Sequence, residues 1–377
     1  MAYGWAAPGS TGTGRGREDG PGAAPQPGMT DSVPPPPAPR RELEVDAGLF
    51  PLRPLGLGEL LGAAFRIYRA RPRLVLGLSA IVMAIAFVGT TALTGASMMP
   101  MLLQAVSLDD TSTQTDLIGS VRDLVTATLS QLGAGLITLL ASSAVTVAVT
   151  ALTVTEAVRM PLSSAQVRTV LKRRLVPAVL VSLIVSVATL LIWVLAIGVS
   201  LLPLILLQDV HWWMLLPLLL CLLFAVLASL WLYGRTILAV PAVTIERIGP
   251  IAGLRRSFAL TRGRRLWRPL GTALLLAVIA YFASQFLAGA LSTVGFVAYF
   301  AILLATGGEA LVLAASLLLI STMFAAFVAS AVLAPFSSSG LAVLYTDARM
   351  RHEAWDLTLT ATARDGSHAE QFTVDRA

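Results

Sequence analysis

The stretch ERIGPIAGLRRSFALTRGRRLWRPLG, residues 246–271, contains seven arginines between two long uncharged runs, 210–234 and 269–308. Each run is longer than the about 20 residues that a helix needs to cross the hydrocarbon core of a bilayer. A basic segment between two such runs is typical of a loop held on one side of a membrane. The number of such runs in the chain therefore decides the fold.

The composition is that of a membrane protein. The chain has 377 residues, of which 56% are hydrophobic and 13% are charged, whereas a soluble domain has about 25% charged residues. Six uncharged runs are long enough to span a bilayer, and they cover residues 74–108, 124–155, 175–208, 210–234, 269–308 and 310–346. We predict an all-α membrane protein with six transmembrane helices.

The segments between the runs alternate in charge, which predicts the orientation of the helices. Basic residues concentrate in 51–73, 156–174 and 235–268, whereas 109–123 is acidic, and the third and fifth connections carry only Asp209 and Glu309, respectively. Lys and Arg near the ends of spanning helices remain in the cytoplasm. We therefore expect a multi-pass protein of the plasma membrane with both termini cytoplasmic.

Each basic segment also contains a short amphipathic pattern. The pattern follows Leu55, Pro161 and Ile248, and each time a cluster of basic residues and then a spanning run come after it. Apolar residues at helical spacing opposite charged ones are typical of helices in the membrane interface. We predict three cytoplasmic interfacial amphipathic helices. Because they start about 90 to 105 residues apart, we also predict a threefold internal repeat of interfacial helix, span, outer connection and span.

The two ends of the chain differ from the spanning region. Residues 1–48 are rich in Gly, Pro and Ala and include PPPPAPRR at 34–41. Such a composition offers too little apolar surface to order a chain, so we predict a disordered cytoplasmic tail. The proline run is either a spacer or a docking motif. The transmembrane domain is predicted to cover 49–346, and residues 347–377 are predicted to form a polar cytoplasmic tail.

Five charged residues near the inner end of the fourth span form the candidate functional site, and they are Arg235, Glu246, Arg255, Arg256 and Arg262. Arg235 directly follows an uncharged run, where it either extends to the headgroups or faces the bundle and binds an anion. The other four belong to the third amphipathic segment or precede it, and guanidinium groups pair well with phosphate. We expect contacts with anionic lipid headgroups of the inner leaflet.

Other kinds of site find little support in the sequence. Cys221 is the only cysteine, the three histidines are scattered, and the short motifs of hydrolases and nucleotide-binding proteins do not occur. We therefore expect no metal, no cofactor and no enzymatic activity. The net charge of +6 arises from arginines beside apolar runs and not from a free basic domain, so we do not expect nucleic acid as a partner.

A longer pattern surrounds the candidate site and comprises Tyr233, Arg235, Pro241, Ala242, Glu246, Gly249, Leu254, Arg256, Ser257, Leu260, Thr261 and Gly263. RPLGLGELLGAAFRIYRARP from Arg53 and VLYTDARMRHEAWDL from Val343 accompany it. Over residues 51–358 the chain resembles an integral membrane family of actinomycete-type bacteria named after the glycerophosphoryl diester phosphodiesterase membrane domain. Ala354 stands where that family usually has glycine. The resemblance implies the six-span architecture, but it implies no hydrolase activity because the catalytic barrel of that enzyme is a separate domain.

The sequence favours a non-enzymatic scaffold or accessory protein in envelope or lipid processes, together with an unidentified protein partner. One alternative is a transporter or lipid translocator, with a polar path lined by hydroxyl side chains, although such side chains also serve close helix packing. The candidates for this lining are Thr90, Thr91, Thr94, Ser142, Ser143, Thr146, Ser284, Ser321 and Thr322. A further alternative is an intramembrane enzyme in which Arg235, Glu246, Arg255 and Arg256 clamp the phosphate of a phosphodiester lipid.

Overall fold

A computed structural model describes residues 49–106, 117–207 and 215–365. The predicted tail 1–48, the proline run within it, Asp209 and residues 366–377 lie outside this part of the chain. The described residues form helices and no strand, which confirms the all-α class. The helices are α1 (Leu57–Ala70), α2 (Pro72–Val106), α3 (Leu117–Ala157), α4 (Ser164–Leu207), α5 (Leu215–Thr236), α6 (Ala239–Ile245), α7 (Pro250–Leu260), α8 (Trp267–Thr306), α9 (Leu311–Glu353) and α10 (Trp355–Asp365), with a 3-10 turn at Gly263–Leu266.

Six of these helical segments in the described residues are long and apolar enough to cross a membrane. They correspond to α2, α3, α4, α5 with α6, the 3-10 turn with α8, and α9. Large apolar side chains on them face outward, with Phe286 81% and Leu304 84% exposed. Such surfaces are stable in lipid and not in water. The chain is therefore a multi-pass membrane protein, as predicted.

The three basic segments differ in how they enter their spans. Arg71 interrupts the chain between α1 and α2 with φ −142° and ψ 58°, because the proline that follows disfavours helical geometry at the residue before it. Gly263, with φ 63°, separates α7 from α8, and glycine takes this geometry without steric cost. The segment after Pro161 has no glycine, and its helix runs unbroken from Ser164 to Leu207.

The prediction of a separate second interfacial helix is therefore wrong. Its amphipathic residues form the first turns of α4, which at ~66 Å is about twice the thickness of the hydrocarbon core. The repeat of helix, break and span holds for the first and third segments only.

The core of the protein lies at the end of the bundle where the basic segments meet, and we call this the basic end. Leu60, Ala63 and Ile67 of α1 are buried there with Leu344 and Tyr345 of α9. The apolar face of α1, which the sequence assigns to the membrane interface, thus packs mainly against protein. Burial of this face contributes about 25 cal/mol for each Å² removed from solvent.

The last span continues beyond its predicted end. The boundary predicted at residue 346 falls inside α9, which ends at Glu353. Ala354 then takes a left-handed conformation with φ 50°, which turns the chain into α10. Trp355 and Leu359 of α10 are buried in the same core. Residues 347–353 and 355–365 are thus helical, and Trp355 and Leu359 bury part of the segment that the sequence predicts to be a polar tail.

Candidate functional site

The arginines of the candidate site are positioned by a break in the fourth span. Helix α5 ends at Thr236 and α6 begins at Ala239, shortly before Pro241. Gly249 caps the next helix and Pro250 occupies its first turn, where the missing N–H of proline costs nothing. Helix α7 then packs closely on α6. A Cβ at Gly253 would lie 2.3 Å from Val243 Cγ2, so the absence of a side chain at Gly253 permits this close approach.

Three of the five predicted residues, Arg235, Arg255 and Arg262, line one open groove between α5 and α7. Its volume is about 690 Å³, within the ~300–1,000 Å³ that is usual for ligand sites. We call it the arginine groove, and its lining consists of Trp231, Arg235, Ile251, Leu254, Arg255, Phe258, Ala259 and Arg262. It combines three positive charges with apolar and aromatic walls.

Arg235 is held at the base of the groove by a hydrogen bond and two ring contacts, and one of its N–H donors has no hydrogen-bond partner in the described chain. Its Nη1 donates to the carbonyl oxygen of Thr261 at 2.7 Å, and its guanidinium carbon lies 5.5 Å and 6.0 Å from the ring centres of Trp231 and Phe258. Its Nε is buried and has no hydrogen-bond partner among the described residues. A buried donor without a partner costs about 1–3 kcal/mol.

Arg255 and Arg262 complete the positive charge of the groove from its rim. Both are exposed, and neither forms an ion pair with a carboxylate of the described residues. Their guanidinium groups therefore remain available to an anion that enters from the membrane surface.

The other two predicted residues, Glu246 and Arg256, belong to a different cluster. Arg256 Nε lies 2.9 Å from Glu246 Oε1, and Arg256 Nη2 lies 2.6 Å from a carboxylate oxygen of Glu353. Arg349 also contacts both carboxylates, at 3.5 Å to Glu246 and 3.0 Å to Glu353. The Tyr345 hydroxyl donates to Glu246. We call these five residues the carboxylate network.

The carboxylate network is internally satisfied. Burial disfavours the charged form of Arg256, but its hydrogen bonds with Glu353 and Glu246 outweigh burial and raise the pKa of the guanidinium above its ordinary value. Arg349 lies over the ring of Trp355, 4.0 Å from its centre, which adds a cation–π contact. The network joins α6, α7, α9 and α10, and its charges already have partners.

A second buried cluster surrounds Asp347, which is 2% exposed. Its carboxylate accepts from the backbone N–H of Leu55 at 2.8 Å and from Arg351 Nε at 3.0 Å, and Arg268 Nε lies at 3.4 Å. The carbonyl of Leu55 accepts from Arg268 at 2.6 Å and from Arg351 at 2.8 Å. The cluster fastens the chain before α1 to α8 and α9.

The sequence reasoning missed the Asp347 cluster and the partner of Glu156. The spacing of four residues between Asp347 and Arg351 was a usable signal, because it places both on one helix face. The bond of Glu156 Oε1 with Arg71 Nε, at 2.6 Å, joins residues far apart in the sequence and left no such signal. Within the residues described, no group of three or more His, Cys, Asp or Glu is placed to hold a metal.

The hydroxyl side chains of the spans divide into two sets. Ser143 donates to Ser182 at 3.2 Å, and Thr146 lies 3.1 Å from Ser338, so these residues join neighbouring helices. Ser321 fills the space beside Gly295. In contrast, Thr90, Thr94 and Ser142 line a cavity of about 750 Å³ between α2, α3, α4 and α9.

The fold and the site define a multi-pass membrane protein with an arginine-lined groove at its basic end. Comparison of the chain with protein-family models, with curated proteins and with solved structures finds no match. The family resemblance therefore stays a prediction.

Proposed function

We propose that the protein is a non-enzymatic scaffold or accessory of envelope or lipid processes, and that it holds anionic lipid headgroups in the arginine groove. The observation that carries this proposal is that Arg235, Arg255 and Arg262 line one groove, where the exposed Arg255 and Arg262 have no carboxylate partner in the described chain. A phosphodiester supplies the acceptor oxygens and the negative charge that this arrangement lacks.

The walls of the groove suit a lipid better than a free phosphate ion. Trp231 and Phe258 are exposed apolar surfaces beside the guanidinium groups, and acyl chains can lie against them while the headgroup contacts the arginines. Each Lys or Arg near an anionic leaflet contributes about 1 kcal/mol. Arg235, Arg255 and Arg262 together therefore provide about 3 kcal/mol of preference for anionic over neutral lipid.

The charge pattern assigns the groove to a leaflet. Because basic segments remain in the cytoplasm, the basic end faces the cytoplasm, both termini are cytoplasmic and the headgroups belong to the inner leaflet of the plasma membrane. The resemblance to the glycerophosphoryl diester phosphodiesterase membrane domain agrees with a role beside phospholipid metabolism, in which a protein partner supplies any chemistry.

The intramembrane enzyme is less favoured because its phosphate clamp divides between two clusters. Arg256 is bonded to Glu246 and Glu353, whereas Arg235 and Arg255 line the groove. A clamp of all four residues would require Arg256 to leave Glu246 and Glu353, at a cost of about 1–2 kcal/mol.

Lipid selectivity in nanodiscs tests the proposal. Native mass spectrometry of the full chain in mixed phosphatidylglycerol and phosphatidylcholine should show bound phosphatidylglycerol. The double variant Arg255→Gln, Arg262→Gln should weaken that binding about tenfold or more, since it removes about 2 kcal/mol of attraction. Arg255→Lys, Arg262→Lys should retain most of it.

The matched control is Arg73→Gln, which removes an exposed arginine from the same end but outside the groove. If Arg73→Gln weakens phosphatidylglycerol binding as much as the double variant, diffuse charge explains the binding and the groove does not. Recovery of the protein after crosslinking without bound lipid or partner would contradict the scaffold role.

Orientation needs a separate test. Cys221→Ser removes the only cysteine, and Glu309→Cys or Arg173→Cys is then added singly. A membrane-impermeant maleimide applied to intact cells should label the Glu309→Cys variant and leave the Arg173→Cys variant unlabelled. The reverse result would place the groove in the outer leaflet.

A further inference from the structure

The cavity between α2, α3, α4 and α9 is separate from the arginine groove and lies in the other half of the bundle. Ser330 of its lining precedes Asp347 by ~25 Å along α9, and Ser142 precedes Glu156 by ~21 Å along α3. The hydrocarbon core is about 30 Å thick. The cavity therefore extends from the middle of the bilayer away from the basic end.

The side of the cavity nearer the basic end is closed. The hydrogen bonds of Ser143 with Ser182 and of Thr146 with Ser338 join the surrounding helices there. Val145 and Val149 of α3 pack with Ala331 of α9 in a buried apolar cluster at the same level. The cavity is thus a pocket with a floor and not part of a continuous path.

The lining includes polar side chains without charge. Of its hydroxyls, Ser182 joins α4 to α3 by accepting from Ser143, whereas Thr90, Thr138 and Ser142 bond to backbone carbonyls of their own helices. Thr138 and Ser142 are exposed, whereas hydroxyls that serve close helix packing are enclosed by a neighbouring helix. Gln131 and Ser186 also line the cavity, and no Asp, Glu, Lys or Arg does so. A phosphate in this place would have no counter-charge from the lining, which is costly.

Three hydroxyls of the lining already donate their protons, so the cavity favours a ligand that donates a hydrogen bond. Thr90, Thr138 and Ser142 donate their protons to backbone carbonyls at 2.8, 2.9 and 3.1 Å. Their oxygen lone pairs then serve as acceptors for a ligand hydroxyl. The amide of Gln131 supplies donors for a carbonyl oxygen of the ligand.

The remaining walls suit a hydrocarbon chain. Phe87 and Phe327 line the cavity together with Met83 and Met323, and the two phenyl rings lie 5.5 Å apart between centres. Flexible methionines and aromatic rings accommodate alkyl chains of varied shape. A volume of about 750 Å³ accepts a small headgroup and the first part of its chains.

We propose that this cavity binds a neutral lipid with a free hydroxyl and ester carbonyls, a diacylglycerol by chemical class. The hydroxyl donates its one proton to the oxygen of Thr138 or of Ser142, an ester carbonyl accepts from Gln131, and the acyl chains leave between the helices into the bilayer. The protein then has two lipid sites of opposite preference, an anionic one at its basic end and a neutral one toward the opposite end.

Photolabelling of the full chain in nanodiscs tests the inference. The probe is a diacylglycerol with a diazirine on one acyl chain, and the labelled residues should map to α2, α3 and α9. Gly135 lines the cavity, and a Cβ added there meets no heavy atom of the described chain within 4 Å. Gly135→Leu should therefore fill the cavity and reduce labelling about tenfold, which corresponds to ~1.4 kcal/mol of binding free energy.

Gly289→Leu is the matched control, because Gly289 is also an exposed helical glycine with open space around it and does not line the cavity. Labelling of this variant should equal that of the native chain. Equal labelling of Gly135→Leu and Gly289→Leu would overturn the proposal. The Gly135→Leu variant should still bind phosphatidylglycerol. This result would show that the variant is folded and that the arginine groove works independently of the cavity.

The headgroup chemistry has its own controls. Thr138→Val, Ser142→Ala keeps the shape of the cavity and removes two acceptors, so it should also lower labelling. Unlabelled diacylglycerol should compete with the probe, whereas phosphatidylglycerol and a fatty acid methyl ester should not. Equal competition by phosphatidylglycerol would show a site without preference for neutral lipid, and equal competition by the methyl ester would show that the hydroxyl is not recognised. Either result contradicts the proposal.

Discussion

Arg255 and Arg256 are neighbours on α7, yet they belong to regions of opposite character. Arg255 lies on the rim of the arginine groove and has no carboxylate partner in the described chain. Arg256 is bonded to Glu246 and Glu353 within the carboxylate network. Successive residues of a helix are rotated by about 100° around its axis. Arg255 therefore faces the membrane, whereas the next residue, Arg256, faces the protein.

A basic segment of a membrane protein can therefore perform two physical tasks at once. One face of α7 supplies charges whose partners must come from the bilayer, and the other face fastens the helix to α6 and α9. If this division is correct, substitutions in the paired region lower stability, whereas substitutions in the groove lower lipid binding and leave stability unchanged.

The largest effect on stability is expected at the Asp347 cluster. Asp347→Ala removes the acceptor of the Leu55 N–H and the counter-charge of Arg268 and Arg351. Loss of one partner of a buried charge cluster costs about 3–5 kcal/mol, and we expect the lower figure because Arg268 is partly exposed. Thermal unfolding of the detergent-solubilised protein measures the loss. A decrease no larger than that of Arg255→Ala would contradict a structural role for the cluster.

The next effect is expected where α7 meets α6. Gly253→Ala places a Cβ against Val243 Cγ2, and overpacking of this kind costs about 1–3 kcal/mol. Helix α7 contains Arg255 and leads directly to Arg262. A displacement of α7 should therefore also reduce phosphatidylglycerol binding. Adding Val243→Ala creates the missing space, so the double variant should unfold at a higher temperature than the sum of the two single effects predicts. Strict additivity would mean that the two residues do not meet.

The two neighbouring arginines give the most direct test of the division. Arg256→Gln should lower the free energy of unfolding by about 1–2 kcal/mol, because Glu246 and Glu353 lose a charged donor. Arg255→Gln should leave the unfolding temperature unchanged and reduce phosphatidylglycerol binding. Unfolding and native mass spectrometry on the same preparations measure both quantities. Identical profiles for the two variants would remove the distinction between the regions.

The number of spans could be predicted from the sequence because hydrocarbon imposes a strict rule. A buried backbone must satisfy its own hydrogen bonds, so an uncharged run of sufficient length becomes a helix. The breaks after α1 and α7 agree with two of the predicted interfacial helices, and they fall before Pro72 and at Gly263. The continuity of α4 was not, because an amphipathic pattern is the same whether a helix ends after it or continues into the membrane.

The sequence predicted the arginines of the groove but not the ion pairs beside it. The sequence singled out Arg235, Arg255 and Arg262 by their positions beside a span, and the structure places them together. It could not reveal that Arg256 is already bonded, because Glu353 lies 97 residues away and charge pairing across such a distance leaves no local pattern. The spacing of Asp347 and Arg351 was a local signal, but the contact of Asp347 with the backbone N–H of Leu55 joins distant residues and left none.

The smallest effect concerns the turn that brings α10 onto the carboxylate network. Ala354 has φ 50°, a left-handed conformation that is unfavourable for a residue with a Cβ. Ala354→Gly should raise the free energy of unfolding by about 0.5–1 kcal/mol, because glycine takes this conformation without strain. Gly263 has φ 63° and open space around it, so Gly263→Ala should lower stability by a similar amount. Opposite shifts in unfolding temperature, with phosphatidylglycerol binding unchanged in Ala354→Gly, would show that this turn supports the network and not the groove. A loss of stability in Ala354→Gly would mean that contacts of the Ala354 methyl group outweigh its backbone strain.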